Sequence, residues 1–590
     1  MPSPLAHVQL HLVDSVAKAG EFMTWLGQSR DVMGLDTESG GLSPTQNRLR
    51  MVQFGDRSAG WAIPWERWGG VAREALDRYQ GRLCGHNIIP YDSRVFRHNA
   101  DWELPIERTD DAMLQAAVLD SGQRKGLKPL CDRFIDPDAS AGQKILHEGM
   151  EKNGWDWDTV PVDYGPYWIY SALDPVLNAH LDVRFTPEIA ASGGQEAYDL
   201  ERATGRICAI MMSAGLLVDT EYMEAESAKL EAYTRSAYAW LKDQYGIESV
   251  NSAAQLQRVM TDLGTPLTET TDTGLPKTDK KTLAAFRHHP DQRVATLIQQ
   301  VLAVRHALRI TDFYFGSFRD HLESGGVIRA SINILAARTS RMSVSEPPLQ
   351  QLPRDDKMVR GAFVPREGCV FITCDLSQIE ARLAAHFSED AAMIEVFRAA
   401  DEEGRDFFCA VAGQIFREEI LKSDRRRNLT KSVVYGKLYA AGLDTMAATA
   451  GVPSEQMRPV RAGFDATYHQ LQAFSDGLIR QTKQMDKPYV VTPTGRKLML
   501  PKGEEGTTAF NTLLQGHAAE YMKLCLIRIA SSGLGQYLRM VVHDEAILEV
   551  PRQDAADALR VVTECMTDRD SYRVPITADG AIMAERWTKG

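Results

Sequence analysis

The sequence predicts a multidomain protein of mixed α/β and α+β class, on three observations. At 590 residues the chain corresponds to roughly four domains of ordinary size. Its first 188 residues pass from short apolar strands to helical stretches, as an α/β domain does. Further on, two apolar strand runs each deliver acidic residues at an end, with helical sequence between them.

In the N-terminal part, Val32 to Leu35 reads as a strand ending in Asp36-Thr37-Glu38, followed by Gly-rich turn residues and a second strand, Arg50 to Phe54. Asp36 and Glu38 point to the same side of an extended chain. GHNIIPYDSRVF contributes Asp92, and YWIYSALDPVLNAHL sets Tyr170 and Asp174 four apart on one helix face. Ile189 to Gly194 (IAASGG) is turn-rich and reads as a linker. Residues 195 to 335 read as mainly helical. Leu200 to Gly215 is periodic, Asn251-Ser252 caps a second helix, TETTDTGLPKT is a loop, and a long helix covers Val294 to Phe315.

Val370 to Cys374 is an apolar run that reads as a buried strand and ends on Asp375. Leu376-Ser377-Gln378 turns the chain. Ile379, Leu383 and Phe387 then recur at helical spacing, with Glu380 in the first turn, where a negative charge suits the helix dipole. A strand-end acid beside backbone carbonyls suits a hard divalent cation, although a lone one is more often a helix cap or turn former. Tyr537 to Val542 runs into His543-Asp544-Glu545 and out through Ala546 to Val550, a β-hairpin with acids at its tip. Acids beside apolar strands cost desolvation energy unless paired or metal-bound. Two such strand ends can clamp two ions about 3.5–4 Å apart for in-line phosphoryl transfer. Between them, Arg427, Lys431, Tyr435 and Tyr439 recur every four residues and share roughly 120° of one helix face. Two cations followed by two aromatics suit a triphosphate and a base; the alternative is an amphipathic helix with a solvated basic end.

Composition sets the bounds. Hydrophobic content of 44% and charged content of 25% describe a soluble globular chain. The net charge of −12 argues mildly against a nucleic-acid partner, but a total says nothing of local patches. The eight cysteines are scattered without a CxxC pair, so neither a zinc site nor a disulfide framework is expected. No apolar run reaches ~18 residues and no signal pattern opens the chain, which points to the cytoplasm and no membrane.

DLSQIEAR, RNLTKSVVYGKLYAAG and HDE, in that order, resemble three motifs of the family A (DNA polymerase I-like) DNA polymerases. The resemblance implies an RNase H-like 3′–5′ exonuclease domain over residues 1–188 and a right-hand polymerase after it: thumb 189–335, palm 336–405 and 490–590, fingers 406–489. It implies that Asp375, Asp544, Glu545 and Lys431 are catalytic, with Asp375, the Leu376 carbonyl and Asp544 holding two Mg²⁺ ions (or Mn²⁺). Arg427, Lys431, Tyr435, Tyr439 and Gln378 would bind the nucleotide, with Glu380 as a steric gate against ribose. TSRMSVSEPPLQQLP supplies Arg341, Gln350 and Gln351, and NTLLQGHAAEYMK supplies Asn511 and Gln515, as DNA contacts alongside His543. Asp36, Glu38, Asp92 and Asp174 resemble the metal ligands of the tyrosine-bearing DEDD exonucleases, with Tyr170 orienting the attacking water.

Three positions depart from the family pattern. Asn87 precedes Asp92 by five residues rather than four, with Pro90 between, which reads as a small bulge. Phe408 stands where a His is usual and Thr507 where an Arg is usual, shifting phosphate charge onto Arg427, Lys431 and the Arg425-Arg426-Arg427 run. The expected partners are primer–template DNA, deoxynucleoside triphosphates and replisome proteins such as a helicase and a single-strand binding protein. The expected protein is a monomeric phage replicative enzyme with no 5′-nuclease domain ahead of residue 36. A single-subunit RNA polymerase would normally lack Glu380 and the exonuclease set. A nuclease-only repair protein would have lost Asp375, Asp544 or Lys431, and a DNA-binding scaffold has no use for acids at metal-site spacings.

Overall fold

The computed structural model describes residues 3–353 and 356–588, with residues 505 and 507 described by their backbone alone. The N-terminal unit is built on a six-stranded mixed sheet of β1 (Gln9–Leu12), β2 (Met33–Ser39), β3 (Leu49–Gly55), β4 (Ala59–Pro64), β5 (Leu83–Gly85) and β6 (Thr109–Asp111), in the order β1-β4-β3-β2-β5-β6. β3 runs antiparallel to both β2 and β4; β1 joins β4, β5 joins β2 and β6 joins β5 in parallel. β2 runs on to Ser39, so Asp36 and Glu38 lie inside the strand, not beyond its end. Pairing with Gln53 and Met51 of β3 keeps this stretch extended, which places both acids on one face. The extra residue before Asp92 is absorbed by a π-helical turn, Ile88–Asp92, entered from Asn87 at φ 59°.

A short helix, α1 (Leu127–Phe134), and a long one, α2 (Gly165–Ser192), follow. α2 lies across β2, β3 and β4. Two glycines let it sit close: a Cβ at Gly34 would overlap the Pro175 carbonyl, and one at Gly60 the Ala172 carbonyl. Residues 189–194 are not a linker, and a boundary at 188 falls inside a helix. Buried Ile189 anchors the last turn of α2, Gly193 ends it at φ 76°, and α3 (Gln195–Ala214) starts at once.

Next come α4 (Thr220–Tyr245) and α5 (Gln292–Leu308), packed together around Leu241, Leu256, Ile298 and Val301. Ser252 caps the helix between them, accepting from the Gln255 N–H at 3.3 Å. Arg309–Phe315 does not continue α5 as α-helix but winds as a π-helical turn.

The C-terminal part centres on an antiparallel sheet. β7 (Cys369–Leu376) leads into α6 (Ile379–Ser388), then α7 (Phe407–Phe416), α8 (Arg425–Leu438) and α9 (Glu505–Ile529). The hairpin β8 (Leu538–Val542) and β9 (Glu545–Pro551), the helix α10 (Ala555–Met566) and β10 (Ala578–Met583) complete it. The order β8-β9-β7-β10 buries β7 between two partners. Tyr537 lies just before β8 rather than in it.

A buried charge seam joins these parts. Glu201 of α3 accepts from Arg496 and from Lys523 of α9, the latter at 2.7 and 2.8 Å. Arg496 Nε also donates to Glu520 at 2.9 Å, and Thr492 and Thr494 donate to the same oxygen. The side chains of Glu201, Arg496 and Lys523 are 0% exposed. No helix among the described residues is long and apolar enough to cross a membrane, and all eight cysteines are free.

Candidate active sites

Asp375 sits one residue from the end of β7, opposite Glu545 on β9 and Asp579 on β10. The Leu376 N–H donates to the Asp544 carbonyl at 3.1 Å and so ties the hairpin tip to the end of β7. His543 takes φ 55°, as a tight two-residue turn requires. Desolvation, with the nearby charges of Glu380 and Asp375, pushes the Asp544 carboxyl up to about 6 against the pull of Arg341.

Glu380, only 7% exposed, accepts from the Arg341 guanidinium and from the Tyr439 hydroxyl. Tyr439 lies just past the end of α8, its ring stacked on Tyr435 at 6.3 Å. Gln350 donates to the carbonyls of Met342 at 3.3 Å and Val541 at 3.5 Å, bracing the segment against β8. Asp375, Asp544, Glu380, Arg341, Gln350 and Tyr439 are therefore one locality. Glu545 points into a buried ion pair with Arg360 at 3.8 Å. Gln378 enters α6 at φ 47° and does not cap it. Asn511 and Gln515 share a half-exposed face of α9, and Gln351 is exposed; none of the three bonds to the cluster through its side chain among the described residues.

On α8, Arg427 is held by Asp406 through two hydrogen bonds, 2.9 and 2.6 Å. Asp406 also caps α7, accepting from the Cys409 N–H at 3.0 Å. Phe408 lies two residues on, in the first turn of α7, its ring 5.6 Å from the Arg427 guanidinium and 5.6 Å from the Lys431 ammonium. Lys431 is exposed and forms no ion pair among the described residues. Arg426 is paired elsewhere, 2.8 Å from both Asp424 and Glu418. Asn428, Lys431, Tyr435 and Tyr439 line a groove of about 540 Å³ between α8 and the helix after it. The Thr507 side chain is outside the described residues.

The second cluster lies in the N-terminal unit. Carboxylate oxygens of Asp36, Glu38 and Asp174 lie within 4.8 Å of one another. Asp92 stands at the edge of this trio rather than within it, its carboxylate accepting from the Thr37 hydroxyl between Asp36 and Glu38. Burial, reinforced by neighbouring carboxylates, pushes Glu38 up to about 8, Asp92 up to about 7 and Asp36 well above the usual range. The Lys128 ammonium of α1 pairs with Asp174 and lies 4.2 Å above the Tyr170 ring.

The family model for DNA polymerase family A matches residues 220–589. The chain belongs to DNA polymerase family A. The DNA polymerase of Mycobacterium phage D29 is 26% identical over 587 residues, covering 95% of this chain and 94% of the phage protein. That of Mycobacterium phage L5 is 25% identical with the same coverage, so this is a family A polymerase of phage type. Thermostable DNA polymerase I of Thermus thermophilus is 28% identical over 409 residues, 66% of this chain and 48% of its own length. The fold matches the POL domain of Pol1 from M. smegmatis, solved in complex with DNA primer-template and dNTP, at a TM-score of 0.78 and 22% identity over 98% of this chain.

Two residues of this family A polymerase escaped the sequence reading. Asp406, directly before the apolar run FFCAVA, carries the signature of a helix cap, but nothing local announces its partner 21 residues on. Lys128 has no motif; only the fold carries it to Asp174.

Proposed function

We propose that this polymerase extends a primer on a DNA template by two-metal phosphoryl transfer and trims the primer 3′ end at a second, exonucleolytic centre. The observation that carries the first part is the closure of the Asp544 tip onto the end of β7, which sets Asp375 and Asp544 at adjoining strand ends. The donor sets fit hard divalent cations such as Mg²⁺: they are all oxygen, crowded, and costly to ionise with nothing beside them. Asp375, the Leu376 carbonyl and Asp544 would hold the ions of one centre; Asp36, Glu38, Asp174 and, from its edge, Asp92 those of the other. Ions bound at such sites activate the attacking oxygen and offset charge on the leaving group.

The chain's own residues do the rest. Arg427 and Lys431 bind the triphosphate, and Tyr435 and Tyr439 stack on the incoming base. Glu380, fixed by Arg341 and Tyr439, stands as the wall that ribose would strike. Gln350, Asn511 and Gln515 offer amides to the minor groove, which check pair geometry without reading sequence. The N-terminal unit edits, residues 195 to 335 grip the duplex as a thumb, and α7 and α8 form the fingers. The M. smegmatis domain, solved with primer-template and dNTP, supports both ligands, and full-length likeness to phage polymerases supports copying of phage DNA.

The test is to incubate the protein and Mg²⁺ with a 5′-labelled primer on a longer template, with and without the four deoxynucleotides. Extension with nucleotides and shortening without them is the expected result. Shortening in both lanes would remove Asp375 and Asp544 from catalysis. Extension without shortening would remove the editing centre.

A further inference from the structure

Arg427 already has an occupant. Its guanidinium fork faces the Asp406 carboxylate with Nε on one oxygen at 2.9 Å and Nη2 on the other at 2.6 Å, the side-on geometry in which arginine also grips a phosphate. Both partners are largely shielded, with side chains 21% and 17% exposed, so the pair is stronger than a surface ion pair. Lys431, one turn on, shares the Phe408 ring with Arg427 but is exposed and has no carboxylate among the described residues. The two cations of one helix face thus differ in readiness.

We propose that Asp406 is a specificity-determining residue for nucleotide binding: its carboxylate stands in for a phosphate oxygen on Arg427 and must be exchanged for the triphosphate. Lys431 takes the incoming phosphates first. Arg427 then swings from carboxylate to phosphate while the Phe408 ring keeps its guanidinium over the same spot. A ligand with too few phosphate oxygens to replace the carboxylate leaves Arg427 on Asp406, so the pair favours triphosphates over diphosphates. This rests on the reading of Arg427 and Lys431 as triphosphate ligands.

Asp406→Asn is the informative variant, because Asn keeps the α7 cap and removes the charge. Affinity for the correct deoxynucleoside triphosphate is measured on a primer–template whose primer ends in a dideoxynucleotide, so that no chemistry follows. The same titration uses the corresponding diphosphate, in the parent, Asp406→Asn, Arg427→Ala, Lys431→Ala and the Asp406→Asn/Arg427→Ala double variant. The expected result is triphosphate binding several-fold tighter in Asp406→Asn, a still larger gain for the diphosphate, and no gain from Asp406→Asn when Arg427 is Ala. Unchanged or weaker binding in Asp406→Asn overturns the proposal, as does a gain that persists without Arg427. If Arg427→Ala and Lys431→Ala both bind triphosphate like the parent, the underlying reading falls and this proposal with it. Melting curves of each variant identify any loss that comes from misfolding.

Discussion

Glu380, proposed above as a wall against ribose, is held in place by two other side chains. A carboxylate buried at this depth costs free energy unless it is bonded, and Arg341 and Tyr439 supply the bonds. Glu380→Ala removes the wall and frees both partners. Ribonucleotide insertion relative to deoxyribonucleotide insertion should rise by about tenfold or more, equal to ~1.4 kcal/mol of lost discrimination. Single-nucleotide kinetics with both sugars check this, and an unchanged ratio would remove Glu380 from sugar selection. The acid cluster of the N-terminal unit predicts a pH effect. Glu38 and Asp92 titrate near 8 and 7, above their values in an unfolded chain, because burial disfavours their charge. The folded protein without metal therefore keeps protons that the unfolded chain has lost. That contribution is complete below about pH 4 and disappears as pH climbs toward 8. Metal-free protein should melt at steadily lower temperature from pH 5 to pH 8, and saturating Mg²⁺ should raise the melting temperature most at pH 8. A Mg²⁺ effect independent of pH would show that these acids are not crowded as described.

Between elements, distance is set by what is missing from a side chain. Gly34 and Gly60 let α2 rest its backbone on the sheet, and α2 carries Tyr170 and Asp174 to Asp36 and Glu38. Gly60→Ala should push the helix outward. A displacement of about 1 Å can cost ~10²-fold in rate, so 3′ shortening should fall steeply while primer extension stays near that of the parent. Equal loss of both activities would indicate global damage instead. These glycines were invisible in the sequence, because nothing local marks a glycine that faces a helix carbonyl. The strand–acid–helix pattern at Asp375, the hairpin at Asp544 and the four-residue rhythm of α8 were legible because each lies within one short element. The bulge before Asp92 was legible as well, from the extra residue after Asn87, and the structure forms it as a π-helical turn. IAASGG misled because turn-rich composition was outweighed by one buried anchor, Ile189. The Asp406–Arg427 and Lys128–Asp174 pairs join separate elements, and only the fold decides such partners.

At the scale of the whole molecule, the seam of Glu201, Arg496, Glu520 and Lys523 carries two negative and two positive charges sealed from water. Removing one member leaves another charge buried without its counterpart. Glu201→Ala should therefore destabilise the full chain by about 3–5 kcal/mol, read as a lower denaturant midpoint. A midpoint equal to that of the parent would mean that water reaches the seam.

The same seam decides where the chain can be cut. A cut meant to keep only the C-terminal polymerase part would start after α3, at the turn at Gly215. Here that cut would discard Glu201 and strip Lys523 of its carboxylate and Arg496 of one of its two. α3 precedes the polymerase motifs in sequence yet belongs to them electrostatically. A trimmed enzyme that keeps its catalytic part intact has to begin no later than Gln195, and chimaeras with other polymerases need to exchange α3 together with α9.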